Sequence, residues 1–357
     1  MKALHLTLRN LRATSGMVLR EVASKTGIDA ALISKFEKGT RTPTEANLEV
    51  ISDVFGFSIH ELRKLLMVEK IVEVVKYQPL ALEVLQLAES RVEYLSGDDV
   101  FVLPEISDRI NKKLKIIDES QKKWQNVRPL DAVQLGKMMD YFHVDYTFQS
   151  NRIEGNTLTL QETNLIVNEG LTIGGKSMRE HLEAVNHTDA IDYMEQLVKE
   201  NGVLNRRVVL ELHHLILKGI DKNNAGRYRS VPVRITGSEH VPPQPYLLEK
   251  LMKDYFSYYE AHRKNMHPVI LAAEMHERLV SIHPFIDGNG RTSRLIMNLI
   301  LLQHGYTIAN LKGDNVSRMR YYKALESVQV DNNPEPFYLL VADSVLDSLT
   351  NHLELAC

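Results

Sequence analysis

The stretch His283-Pro-Phe-Ile-Asp-Gly-Asn-Gly-Arg-Thr-Ser-Arg294 brings a histidine, a carboxylate, two glycines and two arginines into twelve residues. Apolar residues at helical spacing precede it over residues 270–282, and a strongly apolar run follows it over residues 295–302. Helices that are this apolar are buried. The stretch is therefore predicted to be a loop between two core helices, and it predicts a helical core at the centre of the fold.

The residue types of this loop suit a bound polyphosphate. Gly288 and Gly290 permit positive φ and a close approach of the backbone, and successive amides at a helix N-terminus form an anion site. Arg291 and Arg294 lie three residues apart and can project from one helix face. Asp287 offers a hard oxygen ligand, and Mg²⁺ usually binds through one or two carboxylates plus phosphate oxygens.

His283 stands at the entrance to the loop, where a neutral imidazole could accept a proton from an incoming hydroxyl. The alternative interpretation is structural: a Gly-Asn-Gly turn, arginines that neutralise carboxylates, and a histidine satisfied inside the core. That alternative fits His283 taken alone. It does not account for all of these residue types within twelve residues.

One segment between the helices differs in pattern. Residues 231–241 alternate apolar and polar side chains around Gly237 and then meet Pro242-Pro243, which predicts a small β-hairpin. The rest of residues 131–350 is mostly helical in pattern and has no βαβ alternation, so a doubly wound sheet is excluded.

The loop matches the Fic-family motif HPFx(D/E)GNGRxxR at every position, and residues 130–345 resemble a complete Fic core. Further matching features are Gly174-Gly175-Lys176, Glu183, Asn186, His240-Val-Pro-Pro243, Gly305-Tyr306 and Tyr321-Tyr322. The resemblance implies an all-α fold in which a β-hairpin flap positions a target segment. The reaction it implies is AMPylation, in which AMP passes from ATP to a Ser, Thr or Tyr hydroxyl of a target protein and pyrophosphate is released.

The same resemblance assigns roles by position. His283 would be the general base, Asp287 would bind Mg²⁺, and Arg291 and Arg294 would hold the β- and γ-phosphates. The implied ATP-binding set is Asp287, Gly288, Asn289, Gly290, Arg291, Thr292, Ser293, Arg294, Thr236, Gly237, Ser238, Glu239, His240, Tyr321, Tyr322 and Gln329. Within this set, the resemblance implies that residues 236–240 line the nucleoside pocket and that Tyr321, Tyr322 and Gln329 lie near the adenine. For the two tyrosines, core aromatics at helical spacing are an almost equal alternative.

A second motif precedes the core. Ser150-Asn-Arg-Ile-Glu-Gly-Asn156 taken alone is a polar helix end with Glu154 on a solvated face, but it resembles the inhibitory motif [S/T]xxxE[G/N] of many Fic proteins. The resemblance implies that Glu154 pairs with Arg294, the cation that the γ-phosphate needs. Some relatives use this glutamate to orient a water that removes AMP, so inhibition and the reverse reaction, deAMPylation, both stay open.

The N-terminal residues carry the basic charge. Residues 1–66 hold ten Lys/Arg and seven Asp/Glu, whereas the whole chain has a net charge of −3. Residues 7–62 resemble the helix-turn-helix of Cro-like repressors, whose third helix enters the major groove. Lys35, Lys38 and Arg41 could contact DNA phosphates, although alanines occupy base-facing positions. The alternative is a helical bundle for dimerisation or target docking.

These patterns predict three regions: a helix-turn-helix domain over 1–66, a helical linker over 67–129 and a Fic domain with an N-terminal inhibitory helix over 130–350. In the linker, Pro79 predicts a helix break and residues 96–99 a loop. A homodimer formed through this linker is the simplest expectation. The alternative to an AMPylating enzyme is a DNA-binding regulator whose Fic core senses nucleotide.

Composition limits the class of protein and its expected location. Of the 357 residues 44% are apolar and 25% charged, as in ordinary globular proteins. No run approaches the roughly 18 apolar residues of a membrane span, and we expect no signal peptide and no membrane partner. The single cysteine cannot form an internal disulfide, so a cytoplasmic location is predicted. His213 and His214 are adjacent and point about 100° apart, which makes them a poor metal chelate.

Overall fold

The structure, a computed structural model, describes residues 3–85, 103–127 and 132–356. It divides into two units, Met1–Asp98 and Asp99–Cys357. In the described ranges both units are helical and contain no strand, which confirms the all-α class. None of the helices in these ranges has the length and apolar content to cross a membrane. The boundary predicted between 129 and 130 and the loop predicted at 96–99 lie outside the described residues.

The N-terminal unit is built from short helices with glycines at their ends. Gly27 and Gly56 end two of them in the left-handed conformation, and the Asp29 carboxylate caps a third by accepting the N–H groups of Ala31 and Leu32. The helices are α1 Leu4–Thr14, α2 Leu19–Thr26, α3 Ala30–Glu37, α4 Glu45–Phe55 and α5 Ile59–Val75. Helix α5 continues beyond residue 66 and ends before Pro79.

The second unit surrounds two central helices. They are α12 (Pro268–Ile282) and α13 (Asn289–Gln303), which pack against each other and flank the loop 283–288. The helices around them are α6 Asp108–Val127, α7 Ala132–Ile153, α8 Leu160–Glu169, α9 Met178–Lys199, α10 Arg206–Leu217, α11 Leu248–His262, α14 Asn315–Gln329 and α15 Glu335–Ala356. The predicted loop between two core helices is therefore confirmed.

One polar residue interrupts the apolar run of α13. Asn298 is fully buried, and its side chain donates to the carbonyl of Ala309 at 3.1 Å and accepts from the Ala309 N–H at 2.8 Å. A buried amide is tolerated only when its donor and acceptor are both paired. Asn298 therefore ties the chain after α13 to the core.

The β-hairpin predicted for residues 231–241 is wrong. The segment forms a turn at Gly237, where the Ser238 N–H donates to the Ile235 carbonyl at 3.3 Å, and no described residue in it is part of a strand. A hairpin needs a ladder of N–H donors on both arms, and the prolines at 232, 242 and 243 have none. The alternating pattern is therefore a surface loop with one side against the protein.

Candidate functional site

The loop 283–288 has a residue with positive φ at each end, and one side chain holds its backbone together. His283 ends α12 in the left-handed conformation, with φ 50° and ψ 56°, and Gly288 begins α13 with φ 79°. The Asn289 side chain accepts from the Phe285 N–H at 3.0 Å and donates to the Phe285 carbonyl at 2.9 Å. The side chain of Asn289 therefore holds the loop together, and only the backbone of Asn289 remains available to a ligand.

His283 is poised as a proton acceptor. Its Nδ1 lies 3.3 Å from the carbonyl of Val280, which places the ring proton on Nδ1 and leaves the Nε2 lone pair free. Burial, together with the charges of Arg229 and His240, holds the pKa of His283 below its ordinary value, although Glu154 opposes this. The imidazole is therefore neutral at neutral pH, as a general base requires.

Asp287 sits at the mouth of the loop with both carboxylate oxygens engaged. Its Oδ1 accepts the Gly288 N–H at 2.6 Å and lies 3.3 Å from Arg291 Nη2, and its Oδ2 accepts from Arg179 Nη2 at 2.6 Å. Burial opposes ionisation, but Arg291, the Gly288 N–H and Arg179 together hold the pKa of Asp287 below its ordinary value. Asp287 is therefore an ionised carboxylate.

Arg291 is buried beneath the loop between two carboxylates. Its Nη1 lies 3.3 Å from Glu183 Oε1 on α9, and its Nη2 lies 3.3 Å from Asp287 Oδ1. Glu183 in turn accepts from the side chain of Asn156 at 2.9 Å. The guanidinium is thus fixed from α9 and faces the loop.

Arg294 is held by the residues just before and after the end of α7. It is fully buried, and its Nε donates to Ser150 Oγ at 3.0 Å. Its Nη2 donates to the Ser150 carbonyl at 2.9 Å and to Glu154 Oε1 at 2.7 Å. Burial works against the charge, yet Glu154 keeps the pKa of Arg294 above its ordinary value. The contact between Glu154 and Arg294 expected from the sequence is present.

Gly290 makes room for this contact. A Cβ atom at Gly290 would collide with the Glu154 carboxylate and would lie 3.1 Å from Arg294 Nη1. The glycine expected to let the phosphates approach therefore lets the glutamate approach in their place.

Some buried donors around the loop have no protein partner. In the described part of the chain, Arg291 Nε, Arg294 Nη1 and Thr292 Oγ1 make no hydrogen bond. The Ser293 hydroxyl, in contrast, donates to the Asn289 carbonyl at 2.8 Å within α13. Buried donors without partners are costly, so these two guanidinium groups point to an anionic ligand.

The predicted nucleoside-binding turn at residues 236–240 lies beside the end of α12. The His240 Nε2 is 2.8 Å from the Ser281 carbonyl, and the Glu239 N–H donates to Glu326 Oε1 of α14 at 3.4 Å. Thr236 and Gly237 are exposed at the tip of this turn. The segment therefore lies next to the site, and residues 236–240 contain no strand.

The residues predicted near adenine have protein partners. Tyr321 is buried, with its hydroxyl 3.2 Å from His276 Nε2 and its ring 6.0 Å from the guanidinium carbon of Arg294. The Tyr322 hydroxyl donates to the Ile153 carbonyl at 3.0 Å, and Gln329 Nε2 donates to Ser281 Oγ at 3.1 Å. Tyr321 and Tyr322 therefore support Arg294 and the segment that carries Glu154.

Three further residues contact the loop: Arg179, His213 and Arg229. The sequence analysis gave none of them this role and considered His213 only as a poor metal ligand. No spacing rule points to them, since each lies more than fifty residues from the loop and reaches it only through tertiary packing. A signal for Arg229 was its place directly after Gly226-Arg-Tyr, a turn beside the predicted hairpin.

His213 supports the loop from α10. Its ring stacks on Phe285 at 3.6 Å, its Nδ1 accepts the Gly226 N–H at 2.9 Å, and its Nε2 therefore donates to the Asp287 carbonyl at 2.9 Å. Burial lowers the pKa of His213 to about 4, so the ring stays neutral.

We predict that His213→Phe keeps the stacking but lowers the free energy of unfolding by about 2–4 kcal/mol, because the Gly226 N–H and the Asp287 carbonyl lose their buried partner. Urea denaturation measures the change. His214→Phe is the matched control, since His214 is exposed one residue later. Equal stability of the two variants would contradict the role given to His213.

Two family models match the chain. Residues 203–301 match the Fic/DOC family, and residues 3–65 match a helix-turn-helix domain. The chain is 34% identical over 242 residues to a Nematostella vectensis protein named protein adenylyltransferase Fic, which covers 67% of this chain and 55% of the relative. A Culex quinquefasciatus protein of the same name is 34% identical over 244 residues, covering 68% and 48%. The chain spans about half the length of these relatives.

Solved structures share the fold. A Fic domain containing signaling protein from Bacteroides thetaiotaomicron has a TM-score of 0.63 and 28% identity, with 68% of this chain and 96% of that one covered. Fic-1 from C. elegans has a TM-score of 0.63 and 25% identity, with 99% and 98% covered. The motif loop, its buried arginines and these matches lead to one conclusion: the chain contains a Fic/DOC domain preceded by a helix-turn-helix domain.

Proposed function

We propose that the protein is an adenylyltransferase that moves AMP from ATP to a Ser, Thr or Tyr hydroxyl of a target protein. The matched relatives that carry the name protein adenylyltransferase support this activity. The observation that carries the proposal is the pair of buried guanidinium groups with unpartnered donors beside a neutral histidine. That arrangement binds a polyphosphate next to a group that can accept a proton.

In the proposed reaction, His283 Nε2 takes the proton of the target hydroxyl. The hydroxyl oxygen forms a bond to the α-phosphorus of ATP, and the bond from that phosphorus to the bridging oxygen of the β-phosphate breaks. Pyrophosphate leaves with the electron pair. Catalysis of this kind depends mainly on positioning and on stabilising charge.

The two arginines are proposed to hold the phosphates, Arg291 the β-phosphate and Arg294 the γ-phosphate. Both side chains are buried and are fixed before any ligand arrives. A preorganised guanidinium loses little freedom on binding, and its fork matches phosphate oxygens. The α-phosphate would then lie toward His283, at the other end of the loop.

Asp287 fits a Mg²⁺ ion that accompanies the nucleotide. It is one ionised carboxylate at the mouth of the loop, and Mg²⁺ needs one or two carboxylates plus phosphate oxygens. The ion would supply positive charge to the phosphates when bound. Arg179, which now contacts Oδ2 of Asp287, has a side chain that is 57% exposed and can leave toward solvent.

Glu154 is proposed to hold the enzyme in an inactive state. Its carboxylate contacts the Arg294 nitrogen that a γ-phosphate would need, and it fills the space above Gly290. Glu154 is about one-third exposed, so the contact stabilises this state by roughly 1–2 kcal/mol. About 1.4 kcal/mol changes a population tenfold. Orientation of a water that removes AMP is the second role we propose for the same carboxylate.

We predict that Glu154→Gly raises the rate of AMP incorporation about tenfold or more, because Arg294 becomes free for the γ-phosphate. Glu154→Gly with His283→Ala should incorporate no AMP, because no base remains. The measurement is label transfer from α-labelled ATP with Mg²⁺ and lysate, followed by mass spectrometry for added AMP.

Glu169→Gly is the control for the first substitution, since Glu169 is an exposed glutamate at the end of α8. Equal incorporation by the wild type and by Glu154→Gly would contradict the inactive state. Labelling that survives His283→Ala would contradict the general base.

We predict that the transfer rate of Glu154→Gly is near its maximum at pH 8 and falls to half of that maximum only below about pH 6.5. Burial, Arg229 and His240 keep the pKa of His283 below its ordinary value of 6.5, so the neutral base is lost only as pH falls through that lowered pKa. Initial rates at saturating ATP measure the profile. A rate already halved at pH 7 would contradict this assignment.

For the N-terminal unit we propose DNA binding. The support is the helix pair α2–α3 with Gly27 between its helices, together with the exposed cations Lys35, Lys38 and Arg41. Proteins of this type bind two half-sites as dimers, and the homodimer proposed from the sequence finds support in the exposed apolar side chains Met67, Val68, Ile71 and Val72. The alternative of a DNA-binding regulator whose Fic core senses nucleotide is not favoured, because the matched relatives are named for adenylyltransferase activity. The proposed location is cytoplasmic.

We predict that the Lys35→Ala, Lys38→Ala, Arg41→Ala variant binds genomic DNA fragments more weakly than the wild type. It should also lower the slope of log affinity against log salt by up to about 3, one for each phosphate contact. Gel shifts at several salt concentrations measure both, with Lys64→Ala on α5 as control. Identical slopes would favour the docking bundle over a DNA-binding domain.

A further inference from the structure

Arg229 is a buried cation with an unusual set of partners. Its side chain is 4% exposed, and in the described ranges its guanidinium contacts no carboxylate. Burial lowers the pKa of Arg229, as expected for a charge that no acid compensates. Such a residue is retained only where its geometry is needed, because burying a charge costs free energy.

The guanidinium joins three carbonyl groups from separate parts of the site. Its Nε donates to the carbonyl of His283 at 2.8 Å, its Nη1 to Val231 at 3.0 Å and its Nη2 to Pro243 at 2.5 Å. The Arg229 N–H also donates to the Pro284 carbonyl at 2.9 Å. One side chain thus ties both ends of the segment 231–243 to the residue that carries the base.

The hydrogen bonds of Arg229 take the place of the backbone hydrogen bonds that would join the two strands of a β-hairpin. The prolines in 231–243 remove backbone donors, so the segment cannot close on itself as two paired strands. The five N–H donors of a guanidinium lie in a fixed fork that can serve several carbonyls at once, whereas a lysine ammonium is a point charge. Arg229 supplies the donors that the prolines lack.

The same cation acts on the imidazole of His283. The groups that set the pKa of His283 are burial, the Val280 carbonyl, Arg229 and His240, and Glu154 across the site. Since Arg229 contacts no carboxylate in the described ranges, its positive charge disfavours a second positive charge on the ring.

We propose that Arg229 is a positioning residue that holds both ends of the segment 231–243 and the backbone of His283 and Pro284 in one fixed arrangement. Its effect on AMP transfer rests on the proposed function, whereas its effects on the segment and on His283 do not. The experiment therefore first measures protease cleavage within the segment and the titration of the His283 imidazole, in the full-length protein without nucleotide.

The variants are Arg229→Lys, which keeps the charge and loses the fork, and Arg229→Gln, which loses both. Arg227→Lys and Arg227→Gln are matched controls, because Arg227 is exposed two residues earlier in the same turn. Trypsin cleavage after Arg234, an exposed residue inside the segment, reports on how firmly its ends are held. NMR titration of labelled histidine reports on His283, with His283→Gln for assignment.

We expect both Arg229 variants to be cleaved after Arg234 about tenfold faster than the wild type, since the charge-assisted hydrogen bonds at both ends are weakened. Only Arg229→Gln should raise the pKa of His283. The Arg227 variants should match the wild type in both measurements. In the Glu154→Gly background, Arg229→Gln should move the acidic limb of the transfer rate to higher pH.

Unchanged cleavage after Arg234 in both Arg229 variants, or an unchanged His283 titration in Arg229→Gln, would overturn the proposal. So would global unfolding of both variants where the Arg227 variants stay folded, because Arg229 would then serve the fold as a whole. If no variant transfers AMP while cleavage and titration change as expected, the proposed function fails and the role of Arg229 stands.

Discussion

The structure depends on two guanidinium groups buried beneath one loop. Arg291 and Arg294 project from the first turns of α13, deep inside the helical core, and a buried charge must be compensated. Carboxylates from other parts of the unit provide this: Glu183 and Asp287 for Arg291, and Glu154 for Arg294. A polyphosphate offers the same negative charge in a denser form. Binding of the proposed nucleotide would therefore replace internal anions without rebuilding the core.

The proposed inactive state follows from this exchange. The Glu154 carboxylate compensates the charge of Arg294, and its side chain is about one-third exposed. Ser150 binds the same guanidinium separately, through its hydroxyl and its carbonyl. Removing Glu154 leaves Arg294 still held in place by Ser150. Because the Glu154 carboxylate and the Ser150 groups that support the arginine are separate, the proposed inactive state would end without displacement of the guanidinium proposed to bind the phosphate.

The loop owes its shape to three side chains that bind its backbone or stack on it. Asn289 binds the backbone of Phe285, His213 stacks on Phe285 and holds the Asp287 carbonyl, and Arg229 binds the carbonyl of His283. These three side chains come from three different segments. Together they pair the carbonyls of His283, Phe285 and Asp287 and the N–H of Phe285 within the protein, which fixes the backbone of the loop.

The sequence alone determined the all-α class and the loop between two core helices, because these follow from local periodicity and from the long loop motif. It also indicated the pairing of Glu154 with Arg294, but only through the resemblance of residues 150–155 to an inhibitory motif. It failed at residues 231–241, where alternation resembled a hairpin although prolines had removed the ladder donors. Only the tertiary structure decided that Asn289 faces the loop backbone, that Tyr322 holds the Ile153 carbonyl, and that Arg179, His213 and Arg229 belong to the site. The reason is physical: periodicity records which face of a helix is buried, whereas a hydrogen bond between distant segments depends on how the helices pack.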